Sequence, residues 1–136
     1  SRERVPYGIP ELSVKLSESD WKKRLSPDQY RILRNKGTDP RFMPFNIPDH
    51  TETLACIGCG NLLFSIADKY ESGSGWPSFT KTYNENSVTE VMDYSHDMVR
   101  VEVVCAACGG HLGHVFEDGP KPLGKRYCIN GSVLTG

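Results

Sequence analysis

The stretch HDMVRVEVVCAACGGHLGHVFEDGP, residues 96–120, decides how this chain folds. Val99-Arg100-Val101-Glu102-Val103 alternates apolar and charged residues, the period-two pattern of a half-buried strand. Cys105-Ala106-Ala107-Cys108-Gly109 then forms a C-x-x-C-G turn, and residues 112–116 return to strand-like composition. Short segments of the same kind recur at 61–65, 88–93 and 126–130, several of them separated by Gly-rich turns. The pattern predicts a mainly β, mainly antiparallel domain for the chain beyond residue 51.

A second knuckle, Cys56-Ile57-Gly58-Cys59-Gly60, repeats the C-x-x-C-G spacing. In such a turn two thiolates can face one tetrahedral site. The glycine after the second cysteine allows a left-handed backbone that turns N–H groups toward sulfur. Two knuckles complete a set of four soft ligands, Cys56, Cys59, Cys105 and Cys108, which suits a structural Zn²⁺, one per chain. A closed four-sulfur site leaves no position for substrate. The competing readings are local or crossed disulfides, or an iron centre acquired during expression.

Ahead of the β region, residues 1–16 carry Pro6, Gly8 and Pro10 and read as an irregular arm, lying on the domain or loose, before one domain at 17–136. Ser17 can cap a short helix bearing Trp21 and Leu25. Ser26-Pro27-Asp28-Gln29 is a stronger start, with Ser at the N-cap, Pro at N1 and Gln at N3, and Gly37 is a candidate stop. The 136 residues are 38% apolar with a formal charge of −1, so bulk electrostatics favour neither nucleic acid nor anionic membrane. No apolar run approaches the ~18 residues of a bilayer span. A monomer is the default expectation. The chain begins at Ser1 without an apolar leader; an intracellular setting is expected, in cytoplasm or in an organelle matrix after removal of a targeting segment.

Five cysteines cannot all pair within one chain, and the knuckles leave Cys128 alone in Gly124-Lys125-Arg126-Tyr127-Cys128-Ile129-Asn130-Gly131-Ser132. On a strand, Arg126, Cys128 and Asn130 share a face and Tyr127 and Ile129 take the other. A guanidinium beside the thiol is expected to favour the thiolate and lower its pKa. His111 and His114 suggest proton chemistry, although H-x-x-H can also be a metal pair. Trp76, set among Gly73, Gly75 and Pro77, can wall a small apolar pocket or simply pack in a core.

Together SGSGWPSF, the 96–120 stretch, GKRYCING and the two knuckles resemble the methionine-R-sulfoxide reductase B family, over about residues 17–134. The resemblance implies two antiparallel sheets with short N-terminal helices, stapled by zinc at the four paired cysteines. It implies Cys128 as nucleophile and Trp76 as the seat for the substrate methyl group, with Phe116 lining the pocket. It gives His111, His114 and Asn130 to the sulfoxide oxygen and nearby water, Arg126 to the thiolate, and Asp118 to holding Arg126 or a histidine in place. The substrate implied is methionine-R-sulfoxide, free or in oxidised proteins, reduced through a Cys128 sulfenic acid. Of the histidines, His114 is the first choice as proton donor, since strand alternation sends His111 to the opposite face unless the backbone turns at Gly113.

Many members of that family carry a resolving cysteine where this chain has Ser74. Its absence implies rescue of oxidised Cys128 by an outside thiol, either thioredoxin or glutathione with glutaredoxin. Two other function classes compete: a zinc-stapled β module that binds a protein partner without catalysis, and a dithiol oxidoreductase working through C-x-x-C.

Overall fold

The structure, a computed structural model, describes residues 14–136 apart from the side chain of His96. Most of the expected N-terminal arm therefore lies outside the described residues. At its end, the Val14 N–H donates to Ala107 O in the second knuckle (2.8 Å).

Helix α1 spans Glu18–Arg24, and the Ser17 side chain accepts from Asp20 N. Helix α2 spans Pro27–Leu33 and starts with the expected capping box: Ser26 Oγ accepts from Gln29 N, and Gln29 Oε1 accepts from Ser26 N. It ends earlier than Gly37. Arg34 is the C-cap, and the left-handed residue is Lys36 (φ 60). Arg34 fixes that end by donating to Cys108 O at 3.0 Å and stacking its guanidinium 4.5 Å from the Trp21 ring.

Nine strands follow: β1 Thr53–Cys56, β2 Leu62–Ser65, β3 Lys69–Tyr70, β4 Ser78–Phe79, β5 Val88–Asp93, β6 Arg100–Cys105, β7 His111–Phe116, β8 Arg126–Ile129 and β9 Leu134–Thr135. They form two antiparallel sheets, one in the order β2-β1-β9 and one in the order β3-β4-β8-β7-β6-β5. The fold is thus mainly β with two short helices ahead, as the sequence predicts. The residue pattern locates β5 to the residue and β2, β6, β7 and β8 to within one; β1, β3, β4 and β9 carry too few residues to show a period.

Aromatic packing joins the sheets. Phe64 of β2 stacks on Phe79 of β4 with centroids 4.3 Å apart and meets Tyr127 of β8 at 6.0 Å. Cys56 ends β1 in the small sheet and Cys105 ends β6 in the large one, so the two knuckles also bridge the sheets. Leu33 of α2 is inserted against both knuckles. A Cβ on Gly58 would lie 2.7 Å from Leu33 Cδ2, and one on Gly110 would lie 2.5 Å from Leu33 Cδ1. Glycine is needed at both positions for this close approach.

Candidate active site

Three neighbouring strands set the frame. In the β4–β8–β7 order, Ser78 pairs with Cys128 and Cys128 pairs with His114, so the three side chains form one row across the sheet. Above that row opens a cavity of about 520 Å³, within the range of small-molecule sites. Cys128, His111, His114, Asn130, Arg126, Trp76 and Phe116 all line it, and none of the four paired cysteines does.

Cys128 is half-buried, and its Sγ lies 4.0 Å from Ser74 Oγ. Burial pushes its thiol pKa up, while Ser74 and the Arg126 guanidinium pull it back; the result stays above the ordinary value. The expected lowering by Arg126 is therefore outweighed by desolvation. Arg126 is itself committed elsewhere. It makes a bidentate pair with Asp118 (Nε–Oδ1 2.8 Å, Nη2–Oδ2 3.1 Å) and lies over the Phe116 ring at 4.5 Å. Hydrogen bonding to Asp118 raises the Arg126 pKa further and keeps the carboxyl of Asp118 below its usual range.

The two histidines share the cavity, contrary to simple alternation. The β6–β7 register slips between Val103 and Val104: Val103 faces Gly113 but Val104 faces His111, which leaves Leu112 extra. This bulge turns His111 onto the face of His114, with ring centroids 5.5 Å apart. Each ring has a buried carboxylate behind it. His111 Nδ1 donates to Glu102 Oε2 at 2.8 Å, and His114 Nε2 donates to Asp93 Oδ2 at 2.7 Å. Those bonds leave His111 Nε2 and His114 Nδ1 as the second ring nitrogens. Burial lowers the His114 pKa and outweighs the hydrogen bond that the ring donates to Asp93, a shift that favours the neutral ring. Burial alone would raise the Asp93 carboxyl, but hydrogen bonds from His114 and Ser95 and the charge of Lys36 hold it well below the usual range.

Asp93, Glu102 and Lys36 are functional candidates that sequence reasoning missed. The alternating stretch is a strand, as expected, but its burial is not the expected one: Val99 is 67% exposed, whereas Glu102 is only 1% exposed and bonds His111, which lines the site. Lys36 Nζ lies 3.5 Å from Glu102 Oε1 and 3.8 Å from Asp93 Oδ1, compensating both acids. Its left-handed backbone after α2 is a signal that only the structure reveals.

Asp39, another buried residue, holds the opposite wall. Its carbonyl accepts from Trp76 Nε1 (2.8 Å), its N–H donates to Asn130 Oδ1 (2.8 Å), and its carboxylate accepts from Ser132 N and Oγ (2.9 and 2.6 Å). Asn130 Nδ2 also donates to Leu112 O at 3.0 Å, so its side chain is fixed by backbone on both sides and keeps one N–H hydrogen for the cavity.

Away from this cavity, the sulfurs of Cys56, Cys59, Cys105 and Cys108 lie within 4.8 Å of one another. Four thiolates on a tetrahedral ion at about 2.3 Å stand roughly 3.8 Å apart. The Cys56–Cys108 and Cys59–Cys105 separations are 3.9 and 3.5 Å, which fits a shared ion and is far too long for a disulfide at about 2.05 Å. Gly60 (φ 83) and Gly109 (φ 76) adopt the left-handed turn expected after each pair, and Asn61 Nδ2 lies 3.8 Å from Cys105 Sγ. All five cysteines are free, and these four can hold a metal ion.

The SelR domain family model matches residues 25–135. The chain is 52% identical over 122 residues to a peptide methionine sulfoxide reductase MsrB of Leptospira interrogans serogroup Icterohaemorrhagiae serovar Lai (strain 56601), covering 89% of this chain and 93% of the relative. It is 53% identical over 119 residues to the protein of the same name from Bradyrhizobium diazoefficiens, covering 87% and 86%. The corresponding protein of Acinetobacter baylyi is 50% identical over 119 residues, again covering 87% and 86%.

Proposed function

The chain belongs to the methionine-R-sulfoxide reductase B family, and we propose that its 17–136 domain reduces the R epimer of methionine sulfoxide to methionine at Cys128. The observation that carries this reading is the meeting of a thiol, two carboxylate-backed imidazoles and an indole in one cavity apart from the four-sulfur cluster.

The chemistry follows from what a sulfoxide lacks. Its sulfur is a poor electrophile until the oxygen receives a proton or a strong hydrogen bond. Trp76 and Phe116 seat the apolar methyl end, with Trp76 anchored through Asp39. His114, neutral and adjacent to Cys128 in the strand row, takes the thiol proton on Nδ1 as the sulfur attacks. That proton passes from His114 to the sulfoxide oxygen, with the remaining Asn130 N–H as a further donor. As the S–S bond forms, the sulfur–oxygen bond of the substrate breaks and its oxygen leaves as water; water then adds to the Cys128 sulfur, the S–S bond breaks to release methionine, and Cys128 is left as a sulfenic acid. Atoms balance without another reagent: thiol plus sulfoxide gives sulfenic acid plus thioether. Asp93 and Glu102 hold the two rings in one tautomer and orientation.

The ion at the four cysteines is zinc and is structural, since four soft sulfurs suit Zn²⁺ and fill its coordination shell. With Ser74 in place of a resolving cysteine, an outside thiol restores Cys128, supplied by thioredoxin or by glutathione with glutaredoxin. The enzyme works as a monomer on oxidised proteins, without nucleic acid or membrane. The test is single turnover of fully reduced protein on a peptide with mixed sulfoxide epimers and no added reductant. One equivalent of the R epimer should disappear per chain with S untouched; no burst sinks the proposal.

A further inference from the structure

The row Ser78–Cys128–His114 gives Cys128 two sides. On the β7 side stand the histidines; on the β4 side stands Ser74, from the β3–β4 connection, 4.0 Å from Sγ. Displacement at a sulfenyl sulfur is collinear, with the incoming sulfur opposite the departing oxygen. If oxygen is delivered and later removed as water on the histidine side, the next nucleophile must reach Cys128 from the β4 side.

A second cleft, of about 500 Å³, lies on that side. It shares Ser74 and Arg126 with the first cavity, and these two residues part it from Cys128. Tyr70 and Glu71 form one wall and Asp118–Pro120 the other. Among the described residues, the buried Tyr70 hydroxyl has no hydrogen-bond partner. Ser74 Oγ contacts the hydroxyls of Ser72 and Ser78 and the Trp76 carbonyl, and the Ser74 carbonyl accepts from Arg41 Nε at 3.0 Å, so only a small hydroxyl stands between this cleft and Cys128. Glu71 stands at the rim, its side chain 92% exposed and paired with Lys69 Nζ at 3.1 Å.

We infer that this cleft behind Ser74 is the approach for a low-molecular-weight thiol that reduces oxidised Cys128, so that substrate and reductant use opposite sides of one sulfur. The inference rests on the sulfenic acid proposed above. The thiolate of R–SH attacks Cys128 S–OH; the new S–S bond forms as the S–O bond breaks, and the oxygen leaves as water after protonation on the histidine side. A second R–SH then releases Cys128–SH and R–S–S–R. Each turnover consumes two thiols and returns one disulfide and one water.

The experiment separates the two halves of the cycle. Protein is first oxidised by one equivalent of R-sulfoxide peptide. Its reduction is then timed with cysteamine, 2-mercaptoethanol and 2-mercaptoethanesulfonate, which are cationic, neutral and anionic, in parent and Glu71→Lys. Comparing each thiol with itself removes differences in thiol reactivity. The variant should leave the sulfoxide burst unchanged and shift the cysteamine-to-mercaptoethanesulfonate rate ratio by about tenfold toward the anion at low ionic strength, with salt erasing the shift. A normal burst with an unchanged ratio overturns the second approach while sparing the reductase reading. Loss of the burst in the parent protein overturns the reductase reading itself.

Discussion

The molecule uses cysteine in two opposite ways. At the knuckles, four sulfurs face one another, three of them fully buried, with Leu33 and Trp21 packed over the turns. At Cys128, one sulfur stands alone in an open cavity among groups that can move protons. Chemistry at a thiol requires space on its open side and titratable neighbours. A staple requires neither, and the knuckles exclude both. The two settings differ in packing and access, not in residue type.

Metal removal should break the comparison most violently. Stripping the proposed zinc with a chelator should leave four thiols crowded at the junction of the sheets, since structural zinc contributes on the order of 10–16 kcal/mol in small domains. Circular dichroism melting should show loss of the cooperative transition; a midpoint unchanged within a few degrees would mean that the knuckles are not a staple. Next comes Cys128→Ser. Turnover of the R-sulfoxide should fall by at least about 10³-fold, while metal content and melting temperature match the parent. A variant that lost metal as well would show the two regions to be one.

Leu33→Ala should cost about 2–5 kcal/mol in urea unfolding, as expected for a buried leucine without room to collapse. Its effect belongs to the knuckle region, so turnover per folded molecule should stay near that of the parent. The smallest effect is the most diagnostic of the other region. Asp93→Asn should destabilise by about 1–3 kcal/mol at pH 7 through loss of a buried charge-assisted hydrogen bond to His114. Because the folded Asp93 carboxyl is held below its unfolded value of about 4, its contribution is fully present above that pH and fades as pH falls through the lower folded value. The stability gap between parent and variant should therefore close on acidification below pH 4. Turnover should drop roughly tenfold with an altered pH profile; a gap that persists in acid would argue for a merely steric role.

The two regions also differ in how much of them sequence could disclose. The four-cysteine cluster was legible because its information is local: spacing, the glycine after each pair, and the capping box that starts the helix bearing Leu33. Cys128 and the histidines were legible as residue types, but their arrangement was not. The extra residue at Leu112 that brings His111 beside His114 exists only as a mismatch between two strands. Glu102 and Asp93 sit on strands where a charged residue ordinarily faces water, and only the sheet order shows that their face is the site. The two residues of β4, too short to carry a period, hold the serine that pairs with Cys128.

Asp39 carries a consequence in time rather than in space. It lies outside every helix and strand, yet its backbone and side chain hold Trp76, Asn130 and Ser132 together. Its amide should exchange with deuterium as slowly as those of the central strands, an isolated slow signal in a stretch of fast ones. Any opening that frees this amide also frees the indole and the carboxamide that flank Cys128. The cavity wall should therefore loosen and reform in one concerted event, with a single rate, instead of residue by residue.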